Sequence, residues 1–326
     1  KGTAIKKGKH EKKEVDIFIA FNYKKYAASS AQLADILARE LKRLGLKVQR
    51  LHGSRDYFHY EVRPANIRFE IVPILKIKKP AEAVNITDIS PLHVIYVKNK
   101  IKKKSRLANE IRLAKAFCFA QDCYGAESYV RGFSGYALEI LVIYYGSFKA
   151  LTKAAAKWKS MQARYKGKVI TDPAKHYKNK DAIFFQLSES KLLAPLILID
   201  PLQKDRNATA ALSEEKFNTF IEACKRFLNK ASSKTSTQFF VKKEITGKAL
   251  QKQVKKGEKL LTIHLDLRKG KEDVLGAKLQ KLFSFLYAEL EREGFKLKRK
   301  EFTFHPEKNV AHFYFIVKNP ILSAYI

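Results

Sequence analysis

The run Glu14-Val15-Asp16-Ile17-Phe18-Ile19-Ala20-Phe21 constrains this chain more than any other. Its β-branched and aromatic residues predict a buried strand. On a strand Glu14 and Asp16 share a face, about 7 Å apart along the backbone. Like charges side by side at the mouth of an apolar strand repel, and a divalent cation between them removes that cost. A third carboxylate stands in Arg68-Phe69-Glu70-Ile71-Val72-Pro73, a second expected strand. Glu14, Asp16 and Glu70 are therefore the candidate catalytic and metal-holding residues of a two-metal phosphoryl-transfer centre. A solvated strand edge also accounts for the Glu-x-Asp pair, and that reading stays open on the pair alone.

The chain is long enough, at 326 residues with 46% hydrophobic content, for two or three domains with cores. Its 65 Lys+Arg against 32 Asp+Glu give a formal charge of +33, which calls for a polyanionic partner. Nucleic acid is the first candidate and an anionic membrane the second. No apolar run approaches the roughly 18 residues of a spanning helix. The basic residues are spread along the chain rather than gathered in one amphipathic helix, so no membrane partner is expected. Cys118, Cys123 and Cys224 have no paired spacing, which indicates neither a disulfide framework nor a zinc site and fits a reducing cytoplasm. No signal peptide precedes the first strand. Both ends, Lys1-Gly2-Thr3 and Ile321 to Ile326, are expected to be cuts rather than natural termini.

Along the chain, Leu33, Ile36, Leu37, Leu41 and Leu44 predict a helix over 28–45 closed by Gly45. Strands follow at 46–51, 57–62 and 67–77, with a turn at Arg63-Pro64-Ala65-Asn66. Residues 79–104, with Pro80, Pro91 and a basic run to Lys104, read as a connector. From 105 to 160 the pattern is helical, with Leu107, Ile111, Ala114 and Cys118 on one face and a break at Tyr124-Gly125. Helices are expected from Ser134 to Tyr145, on through Trp158, and from Asn207 to Lys230 with Ser213 as cap. The last third alternates strands near 258–267 and 310–317 with a helix at 274–293 ending in Gly294.

Val130-Arg131-Gly132-Phe133-Ser134-Gly135-Tyr136 sets backbone amides and a helix start beside Arg131, a corner suited to phosphate. An ordinary helix–helix turn with Ser134 as cap is the competing account. Lys115 edges an apolar face and reads equally as a snorkelling surface lysine, and His93 as a loop histidine. No Walker-type or dinucleotide-binding glycine motif and no nucleophile elbow is present.

Taken together, these segments resemble the archaeal (class I) CCA-adding enzymes, tRNA nucleotidyltransferases of the DNA polymerase beta superfamily. The matching features are Lys1-Gly2-Thr3, Glu14-Val15-Asp16, Glu70-Ile71-Val72-Pro73, Asp88-Ile89-Ser90-Pro91-Leu92-His93, Lys115, Tyr124-Gly125-Ala126-Glu127, the Arg131 to Tyr136 corner, Asp200-Pro201 and Arg206-Asn207. The resemblance implies an α+β, multi-domain chain. Residues 1–100 would form a polymerase-beta-like nucleotidyltransferase head with a mixed sheet, incomplete at its N-terminus. Residues 101–232 would form a mainly helical central domain, and 233–326 an α/β RNA-binding body whose tail is missing.

By the same resemblance Glu14, Asp16 and Glu70 hold two Mg²⁺, and Lys1, His93, Lys115 and Tyr124 contact the incoming nucleotide. Arg131, Lys225 and Arg226 fall at base or phosphate contacts. The implied reaction adds CCA to the 3′ end of tRNA from CTP and ATP without a nucleic-acid template, through contacts to the tRNA acceptor arm. Three positions depart from the family pattern: Glu70 replaces the usual aspartate, Ile89 a basic residue, and Lys225 the base-reading arginine, with Arg226 one residue on. An A-adding or poly(A)-type nucleotidyltransferase and a non-catalytic tRNA-binding protein are the two alternatives. The sequence names no protein partner, and a homodimer is one arrangement open to it.

Overall fold

A computed structural model describes residues 2–5, 13–63, 65–162, 166–230, 234–243 and 245–318. The chain forms two compact units, each from two segments: Lys1–Ala116 with Gly135–Ala210, and Phe117–Ser134 with Ala211–Ile326. All three boundaries between the units, after residues 116, 134 and 210, fall inside the segment 101–232.

In the first unit, β1 (Lys13–Asn22), β2 (Gln49–Leu51), β3 (Tyr57–Val62) and β4 (Ile67–Lys76) make a sheet in the order β1-β4-β3-β2. β1 runs parallel to β4 and the other pairs are antiparallel. The helix Leu33–Arg43 packs Leu37 and Leu41 on Phe58 and Ile71 of the sheet. Its four-residue apolar step produces that contact, and Gly45 ends it in the left-handed region at φ +71°. β1 is less buried than its composition suggests. As an edge strand it leaves Val15, Ile17 and Ile19 exposed to 41%, 36% and 37%.

The stretch read as a connector contains the helix Ser90–Lys103. Pro91 lies in its first turn, where the missing N–H has no intrahelical partner to lose, so the proline marks a start instead of a loop. Leu107–Ala120 and Gly135–Tyr145 are helical as expected, while the helix through Trp158 divides into Phe148–Ala155 and Trp158–Gln162. The largely helical middle also carries a sheet, β5 (Val169–Thr171), β6 (Leu196–Asp200) and β7 (Gln203–Asn207), in the order β5-β6-β7. Every residue of β6 is buried, as expected for a central strand of continuous apolar run. Asn207 therefore ends a strand and does not begin a helix. Its carbonyl oxygen Oδ1 accepts from the Leu198 and Thr209 amides, each at 3.0 Å.

The second unit contains the helix Glu214–Lys230, opened by Ser213, whose hydroxyl accepts from the Lys216 amide at 3.2 Å. Its antiparallel sheet has the order β8-β10-β9, from β8 (Glu258–Asp266), β9 (Lys296–His305) and β10 (Val310–Lys318). Leu279 and Phe283 of the helix Glu272–Arg292 meet Phe313, Phe315 and Val317 of β10. The Phe283 ring stands 5.2 Å from both the Phe313 and Phe315 rings, inside the range for favourable aromatic pairs.

Candidate active site

The register of β1 on β4 pairs Asp16 with Glu70 and Glu14 with Arg68. Paired residues of parallel strands face the same way, so all three carboxylates lie on one side of the sheet. That side is opposite the one bearing Phe58 and Ile71 against the helix Leu33–Arg43. Antiparallel pairing brings His59 of β3 opposite Glu70. Nitrogen groups stand beside the acids: Arg68 Nη1 is 3.6 Å from Glu14 Oε1, and His59 Nε2 is 3.4 Å from Glu70 Oε2. The side chains of Glu14 and Glu70 are 55% and 40% exposed, so the row opens to solvent.

Carboxylate oxygens on one face of adjacent strands suit a hard cation such as Mg²⁺ in kind and in placement. Among the described residues, no three His, Cys, Asp or Glu side chains are gathered tightly enough to hold a metal ion. The donor set thus fits the ion by chemistry and register.

His93, on the helix Ser90–Lys103, faces Asp200 at the end of β6, with Nε2 3.0 Å from Asp200 Oδ2. The same oxygen accepts from Arg206 Nη1 at 2.6 Å, and Asp200 Oδ1 accepts from the Leu202 amide at 2.8 Å and the Tyr136 hydroxyl at 3.2 Å. Asp200 is fully enclosed. Burial alone pushes its carboxyl up, but the His93 hydrogen bond and charge, the Leu202 amide and Arg206 bring it below the ordinary value. Burial, then the Asp200 charge, raises the Tyr136 phenol and keeps it a hydrogen-bond donor. The His93 and Tyr136 rings lie 4.2 Å apart, and the Arg206 guanidinium stands 5.7 Å from the Tyr136 centroid. His93 is thus a fixed member of a charged network, not a loop histidine.

Lys115 is buried, not snorkelling. Its Nζ donates to Glu139 Oε1 at 2.8 Å in the same unit. Lys1 lies outside the described residues.

Tyr124, Arg131, Lys225 and Arg226 belong to the second unit. Tyr124 bridges Phe133 across the corner, and the Arg131 backbone sits at φ +54°. Its amide donates to Glu127 O at 2.8 Å and its carbonyl accepts from the Ser213 amide at 2.9 Å. This left-handed residue is therefore held from both sides. The Arg131 side chain is exposed. Lys225 Nζ pairs with Glu222 Oε1 at 2.8 Å, and Arg226 Nη2 donates to Gln121 Oε1 at 3.3 Å.

Four neighbours of the candidate residues were not expected from the sequence. Arg68 stands two residues before Glu70, a strand spacing that itself puts both on one face. His59 depends on the β3–β4 register, and the pairing of Glu139 with Lys115 and of Asp200 with His93 depends on tertiary contact.

Residues 109–241 match the family model described as tRNA nucleotidyltransferase, second domain. The CCA-adding enzyme of Nanoarchaeum equitans is 36% identical over 298 residues, 91% of this chain and 68% of that protein. The CCA-adding enzyme of Saccharolobus shibatae is 30% identical over 288 residues, 87% of this chain and 61% of that protein. For that of Pyrobaculum aerophilum the figures are 33% over 220 residues, 68% of this chain and 47% of that protein. Among solved structures, the Cid1 poly(U) polymerase with Mg and 3′-dATP bound covers 71% of this chain and 81% of its own, at TM-score 0.50 and 14% identity, a likeness of fold. With more than a third of its residues identical over nine-tenths of its length to one such protein, the chain belongs to the family of archaeal CCA-adding enzymes.

Proposed function

We propose that this chain adds CCA to the 3′ end of tRNA without a template, taking CTP and ATP and releasing pyrophosphate. The observation that carries the reading is the row Glu14, Asp16 and Glu70 on one face of β1 and β4 in a chain of this family. Glu14, Asp16 and Glu70 would hold two Mg²⁺, which when bound lower the pKa of the attacking 3′-hydroxyl and steady the leaving pyrophosphate. Residues 1–100 act as the catalytic head, 101–232 as the central nucleotide- and tRNA-binding domain, and 233–326 as the RNA-binding body.

Within this reading His93, held by Asp200 and beside Arg206, contacts the triphosphate, and Lys1, Lys115 and Tyr124 complete the nucleotide contacts. Arg131 meets a phosphate of the nucleotide or of the tRNA acceptor arm. Lys225 or Arg226 reads the base, the protein working in the cytoplasm, alone or as a homodimer. The test incubates the protein with tRNA lacking its CCA end, Mg²⁺, CTP and ATP. Extension by three nucleotides, with CTP used before ATP, is expected; no 3′ extension would sink the reading.

One observation favours a second reading. Lys225 is a lysine already paired with Glu222 at 2.8 Å, and a lysine lacks the forked donors of an arginine. A nucleotidyltransferase with altered base choice would extend the same tRNA with ATP alone.

A further inference from the structure

Residues 2–5 lie in neither a helix nor a strand, yet Thr3 is buried to 3% exposure. The burial has a polar cause. Thr3 Oγ1 donates to Glu139 Oε1 at 2.7 Å, and Lys115 Nζ donates to that same oxygen at 2.8 Å and to Thr3 Oγ1 at 3.4 Å. Lys115 and Glu139 are 6% and 1% exposed. Three chain segments that are distant in sequence therefore meet at one carboxylate oxygen: the N-terminal stretch, the helix Leu107–Ala120 and the helix Gly135–Tyr145.

Enclosing an ammonium and a carboxylate costs several kcal/mol of lost hydration for each ion, and a pair of apolar residues would fill the same space more cheaply. Stability alone therefore does not call for the charge. The Lys115 ammonium is also tied in place, because leaving Glu139 would strand a buried anion. A lysine so held presents its charge from one fixed point instead of reaching for a ligand.

We infer that Glu139 is the positioning residue of the phosphate grip: it fixes the Lys115 ammonium directly and the Gly2-Thr3 backbone through the Thr3 hydroxyl. This rests on the nucleotide-binding role proposed above for Lys115, and adds that its ammonium and the Gly2-Thr3 backbone are registered by one carboxylate.

Thr3→Val removes the hydroxyl at nearly constant shape and leaves the Lys115–Glu139 pair in place, while Thr3→Ser keeps the hydroxyl. Glu139→Gln removes the charge itself. In the full chain, Thr3→Val is expected to raise KM for CTP and ATP, and the inhibition constant of inorganic pyrophosphate, about tenfold, with KM for tRNA unchanged. Thr3→Ser restores both, and Glu139→Gln exceeds Thr3→Val in the same direction. A lowered kcat or active fraction with unchanged KM for CTP and unchanged pyrophosphate inhibition would overturn the inference, leaving the triad a structural strut. If Glu139→Gln does not fold, the Thr3→Val and Thr3→Ser pair decides alone. Should the wild-type chain add nothing to tRNA, the proposed function fails separately. Calorimetric titration of wild type and Thr3→Val with inorganic pyrophosphate then still decides the positioning role: weaker binding by the variant supports it, and equal binding overturns it.

Discussion

Asp88 stands in a segment that resembles a family motif, yet its carboxylate is a strut. It accepts from the Arg55 guanidinium and from the amides of Leu75, Val84 and Asn85 at 2.8, 3.2 and 2.9 Å. A motif aspartate can thus be spent wholly on joining β4 to the turn before the helix Ser90–Lys103. His312 of β10 shows the opposite balance, a histidine whose partners resist its charge. Its imidazole is pushed below the ordinary value first by burial and then by the positive neighbours His264 and His305, with Asp266 opposing. The unfolded chain therefore binds this proton at a higher pH than the folded one, and stability rises with pH below about 6.5. Acidification removes that contribution as pH falls from the ordinary histidine value toward the depressed one. His264 Nδ1 lies 3.0 Å from His312 Nε2, a hydrogen bond in which one of the two nitrogens carries the proton and the other accepts it. His312→Gln is expected to flatten the dependence of melting temperature on pH between 7 and 5; an unchanged slope refutes the assignment. Of the candidate site, the shared face of Glu14, Asp16 and Glu70 was legible because strand period and charge are local. Arg206, Asp200 and Glu139 were not given roles, because a buried ion pair announces itself only when its partner is known.

At the scale of elements, the corner before the helix Gly135–Tyr145 is closed by backbone hydrogen bonds. Gly125 N donates to Phe133 O at 2.9 Å, Gly132 N to Gly125 O at 2.7 Å and Phe133 N to Cys123 O at 2.8 Å. A Cβ on Gly132 would lie 2.4 Å from Cys123 O and 3.0 Å from Gly125 O, and neither backbone atom can swing aside. Gly132→Ala is thus expected to destabilise the second unit by about 3 kcal/mol, read by denaturant titration of far-ultraviolet circular dichroism. A loss under about 0.5 kcal/mol, the scale of neutral surface changes, would contradict it. Such turn chemistry was visible in the glycine spacing, as were the helices Leu33–Arg43 and Glu272–Arg292, whose apolar periods run over several turns. β9 was hidden, because Lys296, Lys298, Arg299 and Lys300 read as a charged run. Its apolar positions, Leu297, Phe302 and Phe304, are interrupted by Lys300, whose Nζ lies over the Tyr287 ring, and by a register shift between Ile316 and Val317 on β10. The short β5, at three residues, carries too few periods to be told from a loop.

At the scale of the whole molecule, 65 basic against 32 acidic residues make the proposed tRNA binding a matter of many charges, whereas the proposed chemistry rests on a few carboxylates. These two contributions respond to different variables. Exposed cations displace counterions from RNA phosphates, so affinity falls steeply with salt. Six to ten phosphate contacts lose a factor of about 10³–10⁵ between 50 and 200 mM. The charge of one carboxylate in the row over β1 and β4 contributes little to that sum, because screening limits its reach to roughly 10 Å at these salt concentrations. Asp16→Asn is nearly isosteric, and is expected to leave the tRNA dissociation constant and its salt slope within about twofold. It should lower nucleotide addition by at least 10³-fold, an order set by the loss of a metal-bearing charge in phosphoryl transfer. Fluorescence anisotropy of labelled tRNA at several salt concentrations, beside a primer-extension assay on the same preparations, reads both quantities. If Asp16→Asn binds and extends tRNA like the wild type, the acidic row is only a solvated strand edge. If it loses binding and extension together, the carboxylate maintains the RNA surface and does not serve the transfer.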